Sequence, residues 1–220
     1  SARRTTYAAR RRLRGSAAAL PLYRVDAQGD VQELARLDLT WPDGCAVEFL
    51  ADFGWPLDGE MPAGWFDGLP YPVQDMRPQG FLGRQFARHH AELLQVPPDP
   101  AQWSDDHALH AMALLGADLP GDLILGEPAC RLWLQRQQQA RLGHPGAVVA
   151  DAEVEAAYAG LAGAAMDQGI PGSSAGGEFP KFTAVRQQAD GGLRHVLVKF
   201  SGSDDTPGTR RWADLLVCEH

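Results

Sequence analysis

Residues 171–182 read PGSSAGGEFPKF, with two serines and three glycines from Gly172 to Glu178 and Lys181 at the exit. A second lysine, Lys199, follows in the apolar run HVLVKF. Every other one of the 20 basic Lys and Arg residues is an arginine. Consecutive glycines let backbone N–H groups approach phosphate oxygens with no Cβ in the way, and serine hydroxyls add donors. Lysine is a compact point charge where arginine is a planar fork. The chemistry these residue types share is the gripping of a phosphate chain, with Lys199 on a strand and Lys181 at the loop exit.

The elements that would position them follow in order. KFTAVRQQ, the turn ADGGL and RHVLVKF predict a β-hairpin. SGSDDTPGT is a polar loop. RRWADLLVCEH begins a helix with Trp212, Leu215, Leu216 and Glu219 at i, i+3, i+4 and i+7. Loop, strand, turn, lysine strand and carboxylate helix is the order of a kinase N-lobe. There the strand lysine sits on the nucleotide phosphates and a helix carboxylate, here Glu219, holds it in place. The stretch is neither a Walker A loop nor a GxGxxG. The residues alone leave two readings, a nucleotide-phosphate loop or a plain Gly-rich hairpin connection. The sequence stops inside the last helix, with its apolar face half built, which predicts that the native protein continues.

Upstream, PLYRV, VQELARLDL and AVEFL, separated by Gly-containing turns, predict an antiparallel meander over 21–50. Residues 51–80 are rich in Gly, Pro and aromatics and predict an ordered loop pinned by Trp55, Trp65, Phe66 and Tyr71. FLGRQFARHHAELL predicts a helix with Phe81, Phe86, Leu93 and Leu94 near one face and His89–His90 at the surface. Ser104 is expected to cap the next helix, with Asp105 and Asp106 in its first turn and Gly116 at its end. GDLILG predicts a strand and CRLWLQRQQQARLG a helix. DAEVEAAYAGLAGAAMDQG predicts another, capped by Asp151.

GSSAGGEFPKFTAV, HVLVKFS and ADLLVCEH together resemble the HipA family of bacterial serine/threonine kinases, the toxins of HipA–HipB toxin–antitoxin modules. WFDGLPYPVQDMRPQGFLGRQFARH and LLGADLPGDLILG extend the resemblance to about residues 20–220. It is nearest the YjjJ-like branch, which carries a winged helix-turn-helix before the kinase part. The resemblance implies an α+β chain in three parts. Residues 1–15 are a basic arm, the last strand of such a wing. Residues 16–165 are a HipA-like N-terminal subdomain, meander plus helices. Residues 166–220 are the start of the ATP-binding lobe.

It also implies roles. Ser173 matches the autophosphorylated serine, with Ser174 its neighbour and competitor. Ala175, Gly176, Gly177, Glu178 and Lys181 match the phosphate loop, Lys199 the ATP lysine and Glu219 its helix carboxylate. The loop is one residue longer than the usual form, and Phe179 stands where a polar residue is common. The implied cofactors are ATP and Mg²⁺, and the implied substrate is a Ser or Thr of a protein. The family's catalytic and Mg²⁺-binding aspartates lie in a helical C-lobe after this region, so the 220 residues alone are expected to be inactive. The rival readings are a non-enzymatic interaction module, with an antitoxin among its partners, and a DNA-binding regulator whose kinase part has decayed.

Composition bounds the rest. The 220 residues suffice for one large domain or two small ones, and the apolar fraction of 45% is ordinary for a globular protein. No run approaches the ~20 apolar residues of a membrane span. Cys45, Cys130 and Cys218 are far apart and odd in number, which excludes a disulfide framework and fits reduced cytoplasmic thiols, with Cys218 facing a helix core. The net charge is −8, yet residues 1–14 carry six arginines and no acid, leaving −14 on the remainder. Such an arm on an acidic body fits either nucleic acid or a solvated terminus. SDDHALH offers Asp106, His107 and His110 at helical spacing, and a capped helix start explains it without a metal.

Overall fold

The computed structural model describes residues 7–52, 64–119, 121–141, 148–167, 177–202 and 204–218. The chain is mixed α+β, in two compact units that interleave in sequence. The first holds Ser1–Arg77 and Ser104–Leu132, the second Pro78–Trp103 and Trp133–His220. Packing therefore groups residues 78–103 with the hairpin region, whereas the sequence division at 165/166 is linear.

In the first unit the expected meander forms. Strands β1 (Leu20–Val25), β2 (Val31–Leu39) and β3 (Cys45–Phe49) are joined by a short β4 (Trp65–Phe66), then helix α1 (Tyr71–Asp75). Helix α3 (Asp105–Leu115) leads to β5 (Leu123–Leu125), and the sheet order is β4-β3-β2-β1-β5, antiparallel throughout. From residue 64 on, the segment expected as loop over 51–80 thus holds a two-residue strand and one helical turn, whose second residue is Pro72, where a missing N–H costs nothing. Of its expected aromatic pins, Trp55 lies outside the described residues, and Tyr71 is 58% exposed and so is not a buried pin. A register shift at Leu22/Tyr23 leaves Leu34 as an extra residue in β2. Leu34 and Ala35 are consequently both fully buried, with Leu37 two residues on. The all-apolar β5 and the face of α3 that carries Ala108, Leu109 and Met112 complete this core.

The arm is tied down where it is described. Arg11 donates its N–H to Leu39 O, and Trp41 donates its N–H to Ala9 O, each at 2.8 Å. Arg10 pairs with Asp38 at 2.8 Å, and the Arg11 guanidinium pairs with Asp106 of α3. Asp105 pairs with Arg77 at 2.7 Å. Ser104 and His107 form a reciprocal cap, Ser104 Oγ accepting His107 N–H and Ser104 N–H donating to His107 Nδ1. The SDDHALH groups Ser104, Asp105, Asp106 and His107 thus serve the start of α3.

The second unit contains α2 (Gly80–Leu94), the later part of α4 (Glu127–Arg141), β6 (Val148–Val149), α5 (Val154–Asp167), the hairpin β7 (Lys181–Gln187) and β8 (Leu193–Lys199), and α6 (Pro207–Cys218). Its sheet runs β6-β7-β8, with β6 parallel and β8 antiparallel to β7. Phe182 is its fully buried centre, against Tyr158 of α5 and Phe200.

Several expectations are corrected. Leu93 is 72% exposed, because the buried face of α2 runs through Phe81, Leu82, Phe86 and Leu94. His90 is half-buried, its ring 4.9 Å from Phe86, and burial lowers its pKa. Asp151 does not cap α5. Residues Asp151–Glu153 form a 3₁₀ turn, and the Asp151 carboxylate receives Arg186 of β7 instead. Helix α6 starts at Pro207, with Thr206 Oγ1 accepting Thr209 N–H at 3.2 Å. Cys218 is exposed, while Cys45 and Cys130 are buried, and all three are free thiols. No described helix is long and apolar enough to cross a membrane.

The fully buried Leu37 tests the first core. Leu37→Ala is expected to lower unfolding free energy by about 2–5 kcal/mol, read as a fall in the urea midpoint.

Candidate functional site

The hairpin is in register from end to end, around a turn in which Asp190 Oδ1 accepts Gly192 N–H at 2.9 Å. That register sets Lys181 directly opposite Lys199. Residues paired across an antiparallel ladder project from the same face, so the chain's two lysines share one corner of the sheet. Like charges placed so are mutually unfavourable unless a negative group lies nearby, and here the Glu178 carboxylate interacts with the Lys181 ammonium.

The two ammonium groups have different surroundings. Lys181 is 3% exposed, and its Nζ donates to Gly177 O at 3.0 Å. Lys199 is exposed, and its Nζ lies 5.7 Å from the centre of the Phe179 ring, a cation–π distance. Phe179, the residue that departs from the family pattern, is itself buried against Trp212 of α6, ring centres 4.8 Å apart. The aromatic residue at this position therefore links the loop exit, the strand lysine and α6.

Gly177 adopts φ +96°, a conformation glycine reaches without strain. Its carbonyl accepts the Phe81 N–H at 3.0 Å as well as the Lys181 ammonium. The N-cap residue of α2, Gln79, makes no side-chain cap, so the loop supplies an acceptor for one of the helix's orphan amides. Beside it Glu178 pairs with Arg84 at 2.5 Å. That hydrogen bond is the main cause that holds the Glu178 carboxyl below its ordinary 4.5 and raises the Arg84 guanidinium.

The structure thus brings Gly177, Glu178, Lys181 and Lys199 together. Ser173, Ser174, Ala175, Gly176 and Glu219 lie outside the described residues. Sequence reasoning misses Gly80, Phe81 and Arg84 as partners of the loop. The Gly80 that opens α2 is the one visible signal. Trp212 reads in the sequence as part of a helix face, and the structure makes it the partner of Phe179.

A cleft of about 730 Å³ lies in the first unit, between the Leu13–Leu20 segment, β1, β2, α3 and the start of α4. Its carboxylates are already matched, Glu33 by Arg36 at 2.7 Å and Glu127 by Arg131 at 2.5 Å. Burial is the main cause raising the pKa of Tyr23 on its wall. It offers apolar contact more than a grip on charge.

The loop contact carries a pH dependence. Glu178 has a folded pKa below its unfolded one, so its contribution is present above about 4.5 and is lost as pH falls through the lowered folded value. The protection of the Gly177 and Glu178 amides, taken relative to the intrinsic exchange rate at each pH, is expected to fall on acidification through that window, and Glu178→Gln to remove the dependence. An identical acid response in Glu178→Gln would place the titrating group elsewhere.

Residues 16–134, more than half of the chain, match the family model described as the YjjJ-like toxin, middle domain. The hairpin site lies beyond that stretch. Over 218 residues, 99% of this chain, the sequence is 38% identical to Toxin YjjJ of Escherichia coli (strain K12). The chain spans 45% of that relative's length. No solved structure matches. The match over residues 16–134 places the chain in the YjjJ-like toxin family.

Proposed function

We propose that the chain is the nucleotide-gripping part of a HipA-like serine/threonine protein kinase with toxin activity. The observation that carries the reading is the pairing of Lys181 with Lys199 beside the exit of a Gly/Ser loop. A triphosphate is an anion that glycine-rich backbone and a point-charge lysine suit. The residues fit ATP in this sense. Lys199 would meet its phosphates, and Gly177 and Glu178 would shape the loop that covers them. ATP with Mg²⁺ would supply the transferable phosphoryl group and neutralise its charge. The base and metal-binding carboxylates belong, by the resemblance, to a following helical lobe. The 220-residue chain alone is therefore expected to transfer no phosphate.

Within this reading the substrate is a Ser or Thr of a protein. Phosphate added to Ser173 or Ser174 would place negative charge where the nucleotide phosphates belong and so inhibit the enzyme by repulsion. The toxin relationship makes an antitoxin a natural partner. The DNA reading rests on the arm, in whose described part Arg10 and Arg11 are matched to carboxylates while Arg12 and Arg14 are exposed. The interaction-module reading draws on exposed apolar side chains at β8 and α6, Leu193, Leu197, Leu215 and Val217.

The test is ATP·Mg²⁺ binding by the full-length gene product and by its Lys199→Ala variant, with phosphate incorporation mapped at Ser173 and Ser174. The expected result is binding and labelling in the parent and loss of both in the variant, by at least about tenfold for the loss of one charge-assisted contact. A folded full-length protein that ignores ATP would sink the kinase reading in favour of the interaction module.

A further inference from the structure

The exit of the Gly/Ser loop is held by the first turn of α2 at several points. Phe81 N–H reaches the Gly177 carbonyl, and Arg84 reaches Glu178. The backbones of Gly80 and Gly177 lie against each other. A Cβ on Gly80, which has φ +65°, would meet Gly177 O at 2.5 Å and Gly177 N at 2.7 Å. These are backbone atoms, so nothing flexible can give way. Lys181 approaches the same carbonyl from the strand side, with 3% exposure.

We propose that the first turn of α2 positions the phosphate-binding loop, with Gly80 and Arg84 as positioning residues, and that Lys181 belongs to this anchor while Lys199 alone meets phosphate. The proposal rests on the nucleotide reading of the site. Its physical content is burial. The Lys181 ammonium has N–H donors besides the one on Gly177 O, yet the residue is 3% exposed, and a phosphate reaches them only if the loop exit moves. The bond to Gly177 O also steadies the acceptor that completes the end of α2. Lys199 stands exposed on the same face, over the Phe179 ring, where a phosphate would reach it without breaking the bonds to Gly177 O. The anchor lies 94 residues before the loop it holds.

Two readouts on the full-length protein separate the possibilities: amide exchange across Gly177–Phe182, which needs no nucleotide, and ATP·Mg²⁺ affinity. Lys181→Met is expected to speed exchange at Gly177 and to weaken ATP indirectly. Lys199→Ala is expected to remove ATP binding and to leave exchange at Gly177 and Glu178 unchanged. Arg84→Glu and Glu178→Arg should each speed exchange and weaken ATP about three- to fivefold, the scale of an exposed ion pair. The double swap should restore both. Gly80→Ala should give the largest exchange change, and the charge swap keeps the idea testable should that variant fail to fold. Lys181→Met that abolishes ATP binding with exchange unaltered would overturn the proposal, as would charge reversals that leave exchange untouched. A wild-type protein that binds no ATP sinks the kinase reading instead, and the exchange data then decide the anchor alone.

Discussion

The Gly177 carbonyl takes two donors at 3.0 Å, the amide of Phe81 and the ammonium of Lys181. A carbonyl has two lone pairs, so this one is fully used. One donor belongs to a helix start that lacks a side-chain cap, and the other to a lysine buried at the head of a strand. Displacing the carbonyl would take an acceptor from both, from a helix amide and from a buried charge. The conformation of the loop exit, the seating of α2 and the burial of Lys181 are thus one constraint, and Lys199 inherits its position from it through the hairpin register.

The first unit solves a different electrostatic problem. Its arginine-rich arm would repel itself as a free strand. Instead, backbone pairing with Leu39 and Trp41 lays it along the end of β2, and Arg10 and Arg11 find Asp38 and Asp106. The exposed pair contributes little stability on its own. Arg11, 12% exposed at its side chain, matters more, because losing its carboxylate would strand a nearly buried charge.

Local signals in the sequence are reliable guides here. Gly-containing turns announce the meander and the hairpin, and Ser104 announces α3. The register that sets Lys181 against Lys199 is symmetric about Asp190, and a two-residue turn at Asp190–Gly191 would miss that pairing by one residue. Thr206–Pro207 is a readable start for α6, since threonine caps and proline suits the first turn. Asp151 shows the limit. Its acid-rich context resembles a cap, yet the parallel pairing of β6 with β7 brings Arg186 to it, and only tertiary structure supplies that partner. Arg84 leaves no trace for the same reason, since nothing near it in sequence points to Glu178. Leu34 and Ala35, buried side by side, follow from a bulge that alternation cannot foresee.

The separation between Arg84 and Glu178 has a consequence for how the site comes into being. Closing a loop of 94 residues carries an entropic cost that short-range contacts do not. During synthesis the floor at Gly80–Arg84 exists early, but its counterpart is made far later, and Lys199 later still. The lysine corner is therefore among the last features of this chain to assemble. A ribosome-bound intermediate would carry a finished meander while the paired lysines were still unmade.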